Sequence, residues 1–293
     1  MRLKYSCTLI LSLLLGACSV TPEAPPQTNA PAPETTPQPE PVVKTPEEPP
    51  LRPFPADSVY DLLVAEFATR RQQYDTALGH YLYQAQQTRD AGVVASAARL
   101  AQFINAETAA LEASELWLEL EPEHPEANFI AASALARNGR PMEALPHMVQ
   151  VLEAGDEANF AAISAAALSR SAKVQQEFTI ALEDLRQRYP QSPEVQTALA
   201  LMYQYSQRAD EALTLVNQVL IQEPANLHAL LIQTQLLQQQ GQFDQARERL
   251  KYAVDQHPHN KRLRLQLATL LAKTDLHQAK AQYTVLSYQF PTI

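Results

Sequence analysis

Alanine returns in this chain at nearly constant intervals. A small residue that opens an alanine-to-apolar run stands at Ala77, Ala110, Ala144, Ala212, Ala246 and Ala279, with successive gaps of 33, 34, 68, 34 and 33 residues. The doubled gap marks one missing member, and Phe178 stands in its place. Prolines follow the same frame at Pro122, Pro190, Pro224, Pro258 and Pro291. A fixed period of this length means stacked supersecondary units, none of which can bury its apolar side alone.

Each period holds two helix-length apolar segments around a short turn, as in Asn138-Gly139-Arg140, Ser206-Gln207-Arg208 and Gln240-Gly241-Gln242. Ala131-Ala132, Leu199-Ala200 and Leu267-Ala268 lie in the first segments, about twelve residues ahead of the recurring small residue. Small residues on facing helices let the axes approach, and a bulky side chain there costs about 1 to 3 kcal/mol of overpacking. The Val/Ile/Thr alternation of a half-buried strand is almost absent, so the expected class is all-α.

The pattern resembles the tetratricopeptide repeat over Asp57 to Ile293. The clearest copy is QTALALMYQYSQRADEALTLVNQVLIQEP, from Gln196 to Pro224, and the next, Leu227 to Pro258, keeps Gly241, Phe243 and Ala246. Seven motifs are expected, the fourth, Asn159 to Pro190, being degenerate at Phe178. The resemblance implies a right-handed superhelical solenoid of about seven helix pairs whose first helices line a groove. Its activity is then holding a partner, with neither catalysis nor a cofactor.

In that register the groove is expected to present Arg99, Phe103, Phe129, Arg137, Phe160, Arg170, Leu201, Tyr205, Gln235 and Gln239 as partner-binding residues. Aromatic and arginine side chains are the types enriched in binding hot spots, and here they would take an extended segment with apolar anchors and an acidic group. The alternative is that the Phe side chains pack between helices and the Arg side chains are solvated. The paired Lys and Asn with which some family members hold chaperone carboxylates are missing, since Leu62, Glu66 and Ala95 stand on that face. HExxH, GxSxG and Gly-rich phosphate loops do not occur. His257 and His259 flank Pro258 as a turn, because two histidines underfill a zinc site.

The start of the chain sets the expected location. Arg2 and Lys4 precede an apolar run from Cys7 to Leu15, too short to span a bilayer, and Leu15-Gly16-Ala17-Cys18 resembles the bacterial lipobox. Residues 1–17 are thus expected to be a signal peptide and Cys18 the lipidated first residue of the mature chain, with more than one acyl chain as a lasting anchor. Ser19 follows Cys18 where inner-membrane retention usually involves Asp, so the resemblance points to the outer membrane, with the folded part in the periplasm. Between Pro22 and Pro55 lie 13 of the 22 prolines, which makes residues 18–55 an expected disordered linker ahead of a solenoid at residues 56–293. From Ala56 onward the chain has 27 acidic and 19 basic residues, an excess that opposes nucleic-acid binding, and no cysteine.

The opening, from Ser58 to Phe103, resembles the start of tetratricopeptide lipoproteins of gamma-type proteobacteria. AEFA at Ala65 to Ala68, ALxxYLxQA at Ala77 to Ala85 and TRD at Thr88 to Asp90 carry the likeness. Some of those lipoproteins are adaptors for periplasmic carboxyl-terminal processing proteases and their cell-wall hydrolase substrates, which is the partner the resemblance implies. A lipoprotein that assists a pilus, secretin or other envelope assembly is the alternative. A seventh motif without a polar capping helix adds the expectation of self-association through that end.

Overall fold

The structure is a computed structural model that describes residues 55–290. The signal peptide, Cys18 and nearly all of the proline-rich linker lie outside the described residues. The described chain is helical throughout and runs as seven helix pairs, as the repeat predicts. They are α1 (Ser58–Arg70) with α2 (Tyr74–Thr88), α3 (Ala91–Phe103) with α4 (Glu107–Leu120), α5 (Pro125–Arg137) with α6 (Pro141–Glu153), and α7 (Phe160–Leu168) with α8 (Ala172–Arg188). Then come α9 (Pro193–Tyr205) with α10 (Ala209–Gln222), α11 (Leu227–Gln239) with α12 (Phe243–Gln256), and α13 (Lys261–Leu271) with α14 (Leu276–Gln289). Among the described residues no helix is long and apolar enough to cross a membrane.

Each first helix after α1 starts on a polar cap. The side chains of Asp90, His124, Asn159, Ser192, Asn226 and Asn260 accept from the backbone N–H three residues on, at Val93, Ala127, Ala162, Val195, Ala229 and Leu263. Such a bond satisfies one of the donors a helix start leaves unpaired. Pro125 and Pro193 follow two of the caps at the first helical position, where a missing N–H costs nothing.

Inside five of the pairs the turn passes through one residue with left-handed backbone: Gln72, Asn105, Gly139, Gln207 and Gly241, with φ between 57° and 74°. That residue reverses the chain so that the second helix folds back on the first. There the recurring alanines sit at the contact: Ala77, Ala144, Ala212, Ala246 and Ala279 are completely buried and Ala110 nearly so.

The fourth pair departs from its neighbours. Phe178 is fully buried on α8 where the others carry alanine. In this pair α7 packs more extensively on α9 than on its own partner α8. The buried Ser164 hydroxyl of α7 reaches Ala198 O of α9 at 3.4 Å.

Every helix otherwise packs on the one before and the one after, and the core runs through the stack in two clusters. The larger extends from α1 to α11, and the smaller joins α11 to α14 around Leu230, Leu250, Leu263 and Leu267. Successive odd-numbered helices touch one another from α3 through α11, whereas even-numbered helices do so only sparsely, as α2 with α4 and α6 with α8. The odd helices are the closer-spaced layer, and it is their free faces that a partner on that side would meet.

Candidate protein-interaction surface

Helices α3, α5, α9 and α11 are buried on most of their circumference and leave a narrow strip open or half-open to solvent. On α9 the strip runs Glu194, Leu201, Tyr205, and on α11 His228, Gln235, Gln239, both at the seven-then-four spacing of one helical face. Neighbouring strips align in the repeat frame, so that Phe103, Arg137, Tyr205 and Gln239, separated by 34, 68 and 34 residues, occupy equivalent last turns. All four are exposed.

Phe103 is 64% exposed, with its ring edge-on to Tyr74 at 5.3 Å, and Tyr205 is 66% exposed. Two large aromatic faces in water at equivalent positions are available for contact. Phe129 and Leu201 are half-buried against the core and contribute only an edge. Gln235 accepts from Gln204 Nε2 at 3.2 Å across to α9, while Gln239 is free of the core.

Two of the arginines do a different job from the one expected. Arg99 Nε and Nη2 donate to Glu126 Oε1 and Oε2 at 2.7 and 2.5 Å, and its guanidinium lies 5.3 Å from the Trp117 ring centre. The paired Arg99 holds the Glu126 carboxyl below the usual carboxylate range. Arg137 Nη1 donates to Asn105 Oδ1 at 2.7 Å and meets Glu107 at 3.2 Å, clasping the turn of the preceding pair. Both are inter-repeat braces, and a ligand's acid would have to displace a carboxylate to reach them. Arg170 lies over Gly139, where an added Cβ would come within 2.9 Å of its Nη1.

Phe160 requires a correction. It is fully buried and cannot touch a partner. The caps at His124 and Asn159 are 35 residues apart, one more than the frame, and Phe160 stands at the first helical position of α7, where its ring is buried in the core.

The tetratricopeptide repeat family pattern matches residues 237–283, from the end of α11 into α14. Over these residues the chain carries a tetratricopeptide repeat, and its seven helix pairs share that fold. A TPR repeat-containing protein of Pseudomonas aeruginosa is 35% identical over 272 residues, 90% of this chain and 44% of that relative. The chain therefore spans less than half the length of the relative. Among solved structures, a tetratricopeptide repeat protein from Parabacteroides merdae covers 80% of this chain and 80% of its own at 13% identity and TM-score 0.48. PilW, a widely conserved type IV pilus biogenesis factor, covers 82% and 96% at 15% identity and TM-score 0.47. Both are likenesses of fold.

The tetratricopeptide array also carries polar braces that sequence reading missed. Tyr203 donates to Glu183 Oε1 at 2.7 Å, Arg208 Nη1 meets the same oxygen at 3.0 Å, and the Arg208 guanidinium lies 3.7 Å from the Tyr203 ring centre. Burial first, and then the Glu183 hydrogen bond, push the Tyr203 phenol up to about 12. Tyr81 is raised to about 12 in the same way, with its hydroxyl donating to Glu66 Oε1 at 2.5 Å. Asn128 and Gln196 donate to the carbonyls of Pro122 and Pro190, and Arg264 to that of Pro258, each six residues back. The donors' common offset from the repeating prolines was a signal available in the sequence. These groups hold helix starts and turns in place.

Proposed function

We propose that this chain is a non-enzymatic scaffold, anchored in the outer membrane through lipid on Cys18 with its repeats in the periplasm, that holds a protein partner on the odd-helix face. The observation that carries the binding face is the exposure of Phe103 and Tyr205 in equivalent last turns, flanked by Arg137 and Gln239. Exposed aromatic side chains on a rigid array supply large contact area at little cost in conformational entropy. The lipobox order at Leu15 to Cys18 supports the anchor, and the proline-rich residues that follow support a long reach from it.

The partner proposed is a periplasmic carboxyl-terminal processing protease, for which the chain acts as an adaptor toward cell-wall hydrolase substrates. The resemblance of Ser58 to Phe103 to the start of adaptor lipoproteins supports this reading. The test is affinity capture of the tagged full chain from detergent-solubilised envelope, followed by mass spectrometry. A stoichiometric serine protease is the expected result. A pilus or secretin subunit in its place, or the chain alone, would overturn the adaptor reading in favour of an assembly factor or a self-associating structural protein. Mass analysis of the mature chain tests the anchor: Cys18 carrying diacylglyceryl and an acylated amino group is expected, and an unmodified Cys18 would contradict it.

A further inference from the structure

The starts of α7, α9 and α11 surround a recess of about 230 Å³ whose lining includes Glu157, Asn159, Glu194, Thr197, Glu223 and His228. It lies at the N-terminal ends of the same strips that carry Leu201 and Tyr205 on α9 and Gln235 and Gln239 on α11.

Three carboxylates, Glu157, Glu194 and Glu223, line the recess, and among the described residues none of them has a Lys, Arg or His within ion-pair reach. Ser192 Oγ donates to Glu194 Oε2 at 2.6 Å and Asn226 Nδ2 donates to Glu223 Oε2 at 2.7 Å, which fixes both carboxylates and leaves each with its other oxygen. Asn159, Ser192 and Asn226 each cap one first-turn amide, at Ala162, Val195 and Ala229. Among the described residues no cluster of such side chains is placed to hold a metal ion.

An independent feature points the same way. Thr197 is 3% exposed, lines the recess, and its Oγ1 has no hydrogen-bond partner among the described residues. A buried hydroxyl left without a partner is unfavourable unless a bound group supplies one. A lysine ammonium carries three donors in three directions, which suits carboxylate oxygens and a hydroxyl spread around a hollow better than the flat fork of a guanidinium.

We propose that this recess is a cation subsite of the partner-binding face and takes the side-chain ammonium of a lysine in the bound protein segment. The inference rests on the reading of the odd-helix face as the partner surface and adds the chemistry of one residue of that partner. Glu194 and Glu157 supply charge, Thr197 accepts or donates the remaining hydrogen bond, and His228 closes the side toward α11.

The test is methyl NMR of the full chain in detergent micelles, titrated with Nα-acetyl-lysine methylamide. Acetyl-norleucine methylamide, which has the same apolar stem without the charge, serves as the control probe. The lysine probe is expected to shift the methyl signals of Ala158, Ala161 and Thr197, and the norleucine probe to leave them in place. Glu157→Gln with Glu194→Gln is expected to weaken the lysine probe about tenfold, as loss of charge-assisted hydrogen bonds does. Thr197→Val, which keeps the side-chain shape and removes an unpaired hydroxyl, is expected to weaken it while the fold survives. Glu112→Gln with Asp184→Asn removes equal charge from exposed even-helix positions and is expected to change affinity by less than about twofold, as for distant screened charges. Equal shifts from norleucine, unchanged affinity in both recess variants, or an equal loss in the even-helix control would each overturn the proposal. Because the probe is a free amino-acid derivative, its failure leaves partner capture untouched, and failed partner capture leaves the probe result untouched.

Discussion

Arg99 on α3 grips Glu126 on α5 through two parallel hydrogen bonds, tying one repeat to the next across 27 residues of sequence. Both side chains remain about half open to water, which screens the attraction. A double-mutant cycle with Arg99→Ala and Glu126→Ala is expected to give a coupling of about 0.5 to 1 kcal/mol that shrinks as salt is added. Denaturant titration at two ionic strengths measures it. A salt-independent coupling several times larger would mean that the pair is shielded from solvent in a way the structure does not show.

The recurring alanines and their exception are both expected to resist substitution, one because the site is full and the other because it would be emptied. Ala212→Leu puts a larger side chain into a completely buried contact between α9 and α10 and is expected to cost about 1 to 3 kcal/mol. Phe178→Ala supplies the small residue the repeat frame asks for, yet it leaves a cavity under α8 and is expected to cost about 3 to 5 kcal/mol. Thermal and denaturant unfolding check both. Stabilisation by Phe178→Ala would show that the fourth pair can close as its neighbours do.

Gln207 occupies a left-handed turn at φ 60°, where Gly139 and Gly241 serve in sister repeats. Gln207→Gly removes the steric penalty of a side chain there and is expected to raise stability by about 0.5 to 1 kcal/mol. A melting temperature lowered by this change would contradict the turn geometry.

His147 on α6 is half-buried, and its Nδ1 lies 2.9 Å from Asn128 Oδ1. Burial lowers its pKa below the ordinary 6.5, with Glu115 opposing weakly. The unfolded chain therefore takes up this proton more readily than the folded one. The stability His147 contributes is present above 6.5 and is lost as pH falls below that value. His147→Gln is expected to lose less stability than the parent between about pH 7 and pH 5, measured by denaturant titration. An identical pH response would remove His147 from the account.

Much of the fold was legible because apolar and small residues repeat at a fixed interval. The six alanines located the second helices, and the misfit at Phe178 marked the one pair that packs differently. The polar caps at Asp90, His124, Asn159, Ser192, Asn226 and Asn260 follow the same frame and were equally readable, but a search weighted toward apolar residues passes over them. They also locate the extra residue before α7, which sets Phe160 at the first helical position. The candidate surface was less legible. Whether Arg99 and Arg137 face a ligand or a carboxylate depends on side chains 27 and 30 residues away, brought close only by the stacking of repeats. The recess at Glu194 and Thr197 likewise exists only where three helix starts converge.

The central claim is that the odd-helix face holds the partner. Placing the photo-crosslinker p-benzoylphenylalanine at Phe103 or Tyr205, and separately at the even-helix positions Glu112 or Asp184, tests it in cells making the full chain. The account predicts partner adducts from Phe103 and Tyr205 and none from the even-helix positions. Adducts formed at Glu112 or Asp184 alone would contradict it.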